Sequence, residues 1–435
     1  MRRNVGRIAC LLTLAFIVLI QPWTAEASTT RWIRQYSGFF AGLKGYEICT
    51  PTAMVATDDG GFVVAGNLYK SPAALEHLQD AFIIKLSPAG KVLWSIIFNT
   101  DPSESPKTEI RGLAKAGDGG YLAAGLANSR AMVMKVTSLG QVQWLKTSSI
   151  YGEARGLIRT GDGNFVVMGT TGSLNWVFKI DAQGAIVWQN AFTPGSAFYA
   201  NAIAEMSDGG FVAVGGSRDG AGSPDQAFVA RLDAQGQVLW ARQKSTDSGY
   251  PNSLAETVLC EPDGSFLVGG ALVIPGSHGS HQNWLYKMDA SGQILWQRIL
   301  TDLSPQKVLK ASDGGYLVFG GGVGKLTASG QPKWRTWFPA GRAALQMGSG
   351  DLVAADGPNP APDVAGFTVA RLSKEGSLGS YCEHVAGGKL TLLAPKTTEV
   401  FETMIVTQVP VSGALSDTTV YIIPRPVRTT VLCPH

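Results

Sequence analysis

Short apolar runs recur along the chain directly after Asp-Gly turns, as in DGGFVVAG at 59–66 and DGGYLAAG at 118–125. The corresponding turns begin at residues 59, 118, 162, 208, 263 and 313, with a degenerate copy at 349. They are about 36 to 59 residues apart. Repeats of this length are typical of propeller blades or solenoid turns.

Each repeat divides into four predicted strands. Residues 156–192 contain GLIRT, FVVMGTT, NWVFKID and IVWQNAF, separated by glycine-containing turns or loops. Strands rich in Val, Phe, Ile and Tyr suit sheets buried on both faces, and 73–79 is the only helical candidate. We therefore expect an all-β, seven-bladed β-propeller. A β-solenoid is the alternative fold.

In six of the seven repeats, a tryptophan stands four residues after the glycine of the turn between the third and fourth strands: Trp94, Trp144, Trp188, Trp240, Trp296 and Trp334. A large ring at one fixed position predicts wedge packing between neighbouring blades. The seventh repeat has Ser380 there, whereas RWIRQYSG near the N-terminus offers Trp32. We expect this segment to be the fourth strand of the last blade, which closes the ring and removes its free edges.

The two ends of the chain predict separate segments. Residues 1–27 have the basic start, apolar run and Ala-Glu-Ala site of a secretory signal, so we expect cleavage near Ala27 and a periplasmic or secreted protein. The propeller is expected over 28–382. Residues 383–435 are expected to form a β-rich appendage, or alternatively an eighth blade. In an oxidising compartment we expect a Cys382–Cys433 disulfide, with Cys49 and Cys260 as buried thiols.

Without residues 1–27 the chain has nearly equal numbers of basic and acidic residues, which argues against a nucleic-acid partner. No later segment is apolar over a membrane-spanning length, and we expect a monomer.

The repeat DGG(F/Y)xVxG…GxxxW resembles that of bacterial secreted propellers over about residues 30–382. More distantly, it is similar to the quinoprotein-type superfamily, which includes the periplasmic propeller of the outer-membrane assembly machinery. Quinoprotein alcohol dehydrogenases carry vicinal cysteines and a threonine before the turn glycine, and this chain has neither feature. The resemblance therefore implies a non-enzymatic relative, and we expect no cofactor.

The loops between second and third strands and the links between blades vary widely, and they share one face of the predicted propeller. Seven residues before each turn, at the channel mouth of that face, stand polar residues: Thr52, Arg111, Arg155, Asn201, Glu256, Gln306 and Arg342. Tyr151, Tyr199 and Tyr250 lie in nearby links. Three positive charges against one negative favour an anionic or hydroxyl-rich ligand. The alternative is a channel rim that only binds water and backbone.

No catalytic set or metal-ligand spacing stands out in the sequence. We therefore expect a binding or scaffold module whose partner is a protein or a glycan. The alternative is a propeller enzyme, acting on polysaccharide or as a quinone-dependent oxidoreductase.

Overall fold

Each Asp-Gly turn is closed by the same hydrogen bonds. In the first turn, Thr57 N–H donates to Gly61 O at 3.0 Å, and Gly61 N–H donates to Asp59 Oδ1 at 3.1 Å. Gly60 has a φ of +76°, which side chains with a Cβ rarely adopt. The aspartate and the glycine are therefore both needed to join the first and second strands of a repeat.

A computed structural model describes residues 31–37, 47–70, 79–100, 107–172, 174–193, 197–218, 225–244, 252–273, 281–338, 340–357, 366–379 and seven short segments between 386 and 433. Within these ranges the chain forms strands and connections without a helix, and the strands make seven antiparallel sheets. This confirms the predicted all-β, seven-bladed propeller.

The strands of the blades, in chain order, are as follows. Strand β1 is Trp32–Ser37; blade 1 is β2 (Glu47–Ala56), β3 (Phe62–Lys70), β4 (Gln79–Leu86) and β5 (Val92–Asn99); blade 2 is β6 (Thr108–Lys115), β7 (Tyr121–Ala127), β8 (Arg130–Val136) and β9 (Val142–Tyr151); blade 3 is β10 (Glu153–Arg159), β11 (Phe165–Thr171), β12 (Leu174–Ile180) and β13 (Ile186–Thr193). Blade 4 is β14 (Ala197–Glu205), β15 (Phe211–Arg218), β16 (Asp225–Leu232) and β17 (Val238–Lys244); blade 5 is β18 (Asn252–Cys260), β19 (Phe266–Val273), β20 (His281–Met288) and β21 (Ile294–Leu300). Blade 6 is β22 (Lys307–Lys310), β23 (Tyr316–Phe319), β24 (Val323–Leu326) and β25 (Pro332–Trp337); blade 7 is β26 (Ala343–Gln346), β27 (Leu352–Asp356) and β28 (Phe367–Leu372), completed by β1.

Strand β1 closes the ring as the sequence predicts. It pairs antiparallel with β28, and Trp32 stands opposite Arg371. Trp94 stands opposite Lys85 in the same way in blade 1. The N-terminal strand therefore occupies the fourth-strand position of blade 7.

The C-terminal residues add one outermost strand to every blade. These strands are β29 (Ala386–Gly388), β30 (Leu392–Leu393), β31 (Phe401–Thr403), β32 (Thr407–Val409), β33 (Leu415–Asp417), β34 (Tyr421–Ile422) and β35 (Arg428–Cys433). They pair in turn with blades 6, 5, 4, 3, 2, 1 and 7. The described tail residues thus form neither a sheet of their own nor an eighth blade; they make a C-terminal belt (β29–β35) that occupies the free edges of the fourth strands.

Apolar clusters fill the spaces between neighbouring blades. One cluster combines Val63 and Ile83 of blade 1 with Leu113 and Tyr121 of blade 2. The second and third strands are buried on both faces, which explains their continuous apolar sequences.

A basic residue stands opposite each of the seven tryptophans: Lys85, Lys135, Lys179, Arg231, Lys287, Lys325 and Arg371. Each cation forms an ion pair with an aspartate of its own Asp-Gly turn, as in Lys85–Asp59 at 2.7 Å. In blade 7 the turn is Ser-Gly-Asp, and Asp351 pairs with Arg371 at 2.9 Å. Each buried cation is therefore neutralised within its own blade.

Candidate functional site

The polar ring predicted from the sequence is produced by a repeated β-bulge. In blades 1 to 5 the pairing of the first two strands skips one residue, and the skipped residues are Thr52, Arg111, Arg155, Asn201 and Glu256. A bulge breaks the alternation of a strand and redirects the side chain of the extra residue. These five ring residues therefore owe their orientation to the bulge.

In blades 1 to 5, the glycine that ends the apolar run after the Asp-Gly turn makes room for this bulge. A Cβ on Gly125 would lie 1.9 Å from Glu109 O, and a Cβ on Gly169 would lie 2.1 Å from Glu153 O. No side chain fits at these distances, because the first strand approaches the second closely just before the skipped residue. The signature DGG(F/Y)xVxG is thus explained at both ends: the first glycines form the turn, and the last one leaves space for the bulge.

All seven predicted ring residues line one cavity of about 140 Å³ at the centre of the propeller. Gln306 and Arg342 join the other five from blades 6 and 7. Gln306 and Arg342 immediately precede the first strands of blades 6 and 7, whereas Thr52, Asn201 and Glu256 lie near the middle of β2, β14 and β18. Below the ring, Met54, Leu113, Leu157 and Ile203 are largely buried. The site is therefore a small polar mouth over an apolar floor.

A chain of hydrogen bonds and ion pairs joins the ring across blades 2 to 5. Arg111 Nη2 lies 2.7 Å from Glu109 Oε2 and 2.9 Å from Glu153 Oε2. Glu153 also pairs with Arg155, whose Nη1–H donates to Asn201 Oδ1 at 3.1 Å. Asn201 Nδ2–H in turn donates to Ala255 O at 2.9 Å. These contacts hold the ring side chains in fixed positions.

Glu109 and Glu153 change the charge balance that the seven ring residues suggested. Both are partly or wholly buried and neutralise Arg111 and Arg155. Arg342 pairs with Glu256, which links blades 7 and 5 past blade 6. The two glutamates are not among the residues predicted from the sequence, although EIRGL at 109–113 and EARGL at 153–157 repeat the same Glu-x-Arg-Gly-Leu pattern.

Two further titratable groups lie beside the ring. Burial lowers the pKa of Lys307, and the positive charge of Arg342 lowers it further. Burial raises the pKa of Asp356, and the Gly357 N–H, which donates to Asp356 Oδ1 at 2.8 Å, partly opposes this effect. In both cases burial disfavours the charged form.

The predicted tyrosines differ in position. Tyr199 lies beside the ring, with the Arg155 guanidinium 5.5 Å from the centre of its aromatic ring. Tyr151 is 65% exposed and stacks with Arg130 at 4.7 Å. Tyr250 lies outside the described residues.

The repeated tryptophans pack against turn glycines of the next blade. The Trp94 ring lies next to Gly140, and Trp94 Nε1–H donates to Ser138 O at 3.0 Å. The same packing is found for Trp32 on Gly90, Trp144 on Gly184, Trp188 on Gly236, Trp240 on Gly292, Trp296 on Gly330 and Trp334 on Gly376. These rings therefore lie between blades, away from the cavity.

The cysteines lie apart from the cavity. Cys49 is buried in β2 of blade 1, and Cys260 is half-buried in β18 of blade 5. Cys433 ends β35, where it stands opposite Ile33, whereas Cys382 lies outside the described residues.

Over the ranges that the structure describes, no three His, Cys, Asp or Glu side chains are grouped as a metal site. Those ranges also contain no helix long and apolar enough to cross a bilayer.

No protein-family model matches the chain, and no curated protein matches it. Among solved structures, it is similar to the WD40 domain of Pan2 from Neurospora crassa, with a TM-score of 0.48 and 11% identity over 78% of this chain and 95% of that domain. A protein from Lactobacillus plantarum gives a TM-score of 0.45 and 14% identity over 70% of this chain and 95% of that chain. A mutant of Synechocystis apocarotenoid oxygenase gives a TM-score of 0.44 and 11% identity over 90% of this chain and 97% of that chain. At these values no functional property is transferred to this chain.

Proposed function

We propose that this protein is exported and acts as a binding module, whose partner docks on the face that carries the variable loops. The observation that carries the proposal is the convergence of all seven ring positions on one cavity. A rigid ring surrounded by loops of variable sequence is a common arrangement for recognition.

A polypeptide partner fits the cavity better than a glycan does. Pockets that enclose whole small ligands usually measure about 300 to 1,000 Å³, whereas this cavity measures about 140 Å³. It has room for the end of one side chain. The rest of the partner would lie on the surrounding loops and links.

The test compares partner capture by three immobilised full-length proteins. In the ring variant, Arg111, Arg155 and Arg342 are each changed to Gln; in the control variant, Arg242 and Arg298 are changed to Gln. The control arginines donate to turn carbonyls at Gly292 and Gly330, away from the cavity. Cell-envelope extract and a glycan array are applied to each protein.

The proposal predicts a protein that the wild type and the control variant retain and that the ring variant loses. Circular dichroism and thermal unfolding establish that the ring variant is folded. Equal retention by a folded ring variant would overturn the assignment of the site. Retention of a glycan alone would overturn the polypeptide partner.

A further inference from the structure

Blade 6 departs from the other blades at the position that follows the ring residue. Six blades carry a small or short side chain there: Ala53, Gly112, Gly156, Ala202, Thr257 and Ala343. Blade 6 carries Lys307, which lines the cavity. A long cationic side chain thus stands where the repeat otherwise leaves little space.

The small residues face a large residue of the following blade. A Cβ on Gly112 would lie 2.8 Å from the Leu157 Cβ, and a Cβ on Gly156 would lie 3.1 Å from the Ile203 Cγ2. Between blades 6 and 7 the sizes are reversed, because the position equivalent to Leu157 is Ala344, which also lines the cavity. The exchange of a large residue for Ala344 provides the volume for the Lys307 side chain.

Lys307 also differs from the other cations of the cavity in its lack of a counter-charge. Arg111 and Arg155 pair with glutamates, and Arg342 pairs with Glu256. Among the described residues, Lys307 forms no ion pair. An ammonium group that lines a cavity without a counter-charge is stabilised by any anion that reaches it.

One carboxylate, that of Asp356, lies near the rim beside Gln306, and it forms no ion pair with Lys307. Gln306 precedes Lys307 on the rim, and a Cβ on Gly341 would lie 3.4 Å from Gln306 Oε1 and 3.3 Å from Asp356 Oδ1. Asp356 accepts a hydrogen bond from Gly357 N–H and, like Lys307, is absent from the ion pairs of the described chain. Arg342, which pairs with Glu256, still contributes positive potential at Lys307.

We propose that Lys307 and Arg342 form a subsite for one carboxylate group, which the bound partner inserts into the cavity. This inference rests on the proposed function and specifies the chemistry of the inserted group. A carboxylate accepts a hydrogen bond from the Lys307 ammonium and supplies its missing counter-charge. We assign the carboxylate to an aspartate or glutamate side chain of a polypeptide.

The test measures binding of small probes by saturation-transfer NMR. The probes are N-acetyl-aspartate amide and its neutral counterpart N-acetyl-asparagine amide, together with glucuronate and glucose. The test variant is Lys307→Met, which keeps a flexible apolar stem and removes the charge. The matched control is Lys310→Met on the same strand, whose ammonium lies 2.8 Å from Glu261 Oε1.

The wild type and Lys310→Met should bind the aspartate probe saturably, at least about tenfold more tightly than Lys307→Met does, and should ignore the asparagine probe. Equal binding by Lys307→Met, or no binding of either acid, would overturn the subsite. Binding of glucuronate without the aspartate probe would support a carboxylate subsite but overturn the polypeptide source. The thermal midpoint of Lys307→Met should not fall, which separates lost binding from lost folding.

The outcome of this binding experiment distinguishes failure of the carboxylate subsite from failure of the proposed function, which the capture experiment tests. If the partner is captured through the ring while no carboxylate probe binds, the proposed function stands and the subsite is wrong. If carboxylates bind through Lys307 while no partner depends on the ring arginines, the subsite stands and the proposed function is wrong.

Discussion

The Trp32 indole lies against Gly90 of blade 1, where a Cβ on the glycine would stand 2.6 Å from the ring. Trp32 Nε1–H donates to Pro88 O at 3.3 Å, and Tyr36 Oη–H donates to Gly90 O at 2.7 Å. The junction between the last and first blades thus uses the tryptophan-on-glycine contact found between the other blades.

Replacement of Trp32 by Ala should open this junction. Trp32 is 3% exposed, and truncation of a buried tryptophan costs about 3 to 5 kcal/mol of unfolding free energy. Trp337→Ala is the control, because Trp337 is 53% exposed and its loss should change stability by about 0.5 kcal/mol or less. Urea unfolding measures both values. Similar losses in the two variants would contradict the closing role of Trp32.

Two glycines of blade 2 allow the energetic contribution of the tryptophan-on-glycine contact to be separated from that of backbone strain. Gly140 and Gly119 have φ angles of +80° and +81°, so alanine at either position costs about 1 to 2 kcal/mol for a left-handed conformation. A Cβ on Gly140 would lie 2.7 Å from Trp94, whereas a Cβ on Gly119 would meet no atom within 4 Å. We expect Gly140→Ala to destabilise the protein by about 1 to 3 kcal/mol more than Gly119→Ala does. Equal unfolding free energies would exclude a tight contact between these blades.

Acid should weaken the protein through its turn aspartates. The hydrogen bond from Lys325 and the Gly315 N–H lower the pKa of Asp313, against the opposing effect of partial burial. The pKa values of Asp59, Asp118, Asp162, Asp208 and Asp263 are lowered as well. A folded-state pKa below the unfolded value, about 3.9, gives stability that is present above that pH and lost as the pH falls through the folded pKa.

We therefore expect the free energy of unfolding to fall steeply below about pH 4. Asp313→Asn should make this decrease shallower, since one of the contributing carboxylates is removed. Urea titrations at pH 6, 4 and 2.5 measure the slope for both proteins. An unchanged slope in Asp313→Asn would show that the Lys325 contact does not contribute.

The disulfide predicted between Cys382 and Cys433 remains a prediction, because Cys382 lies outside the described residues. Cys433 stands opposite Ile33, and a Cβ on Gly379 would lie 3.7 Å from the Arg31 guanidinium. The three residues from Gly379 to Cys382 reach at most about 10 Å. Non-reducing peptide mapping of exported protein should recover the two cysteines in one linked species.

Loss of this crosslink should also lower stability. Closure of a loop of about 50 residues restricts the unfolded chain by about 4 kcal/mol in the entropic model, which is the expected loss in Cys382→Ser. Full alkylation of both thiols without a reductant would show that the disulfide is absent.

The repeat made much of the fold predictable, because the same turn and the same tryptophan recur in every blade. Trp32 could be placed from the sequence because the seventh repeat lacks its own tryptophan. The tail could not be placed in this way: strands of two or three residues carry no periodic signal, and their partners lie in six different blades. For the ring, the register predicted the seven positions, but the charge of the site depends on Glu109 and Glu153, which approach only when blades 2 and 3 are packed.

The C-terminal belt has a consequence for how the molecule unfolds. An array of repeats normally behaves as a one-dimensional system, in which each unit interacts with its two neighbours and one end can melt while the other stays folded. Here a single continuous stretch of about 50 residues pairs with every blade and finishes beside β1. Melting of any one blade therefore detaches part of the C-terminal belt, which pairs with all seven blades. Calorimetry should then show one two-state transition rather than progressive fraying.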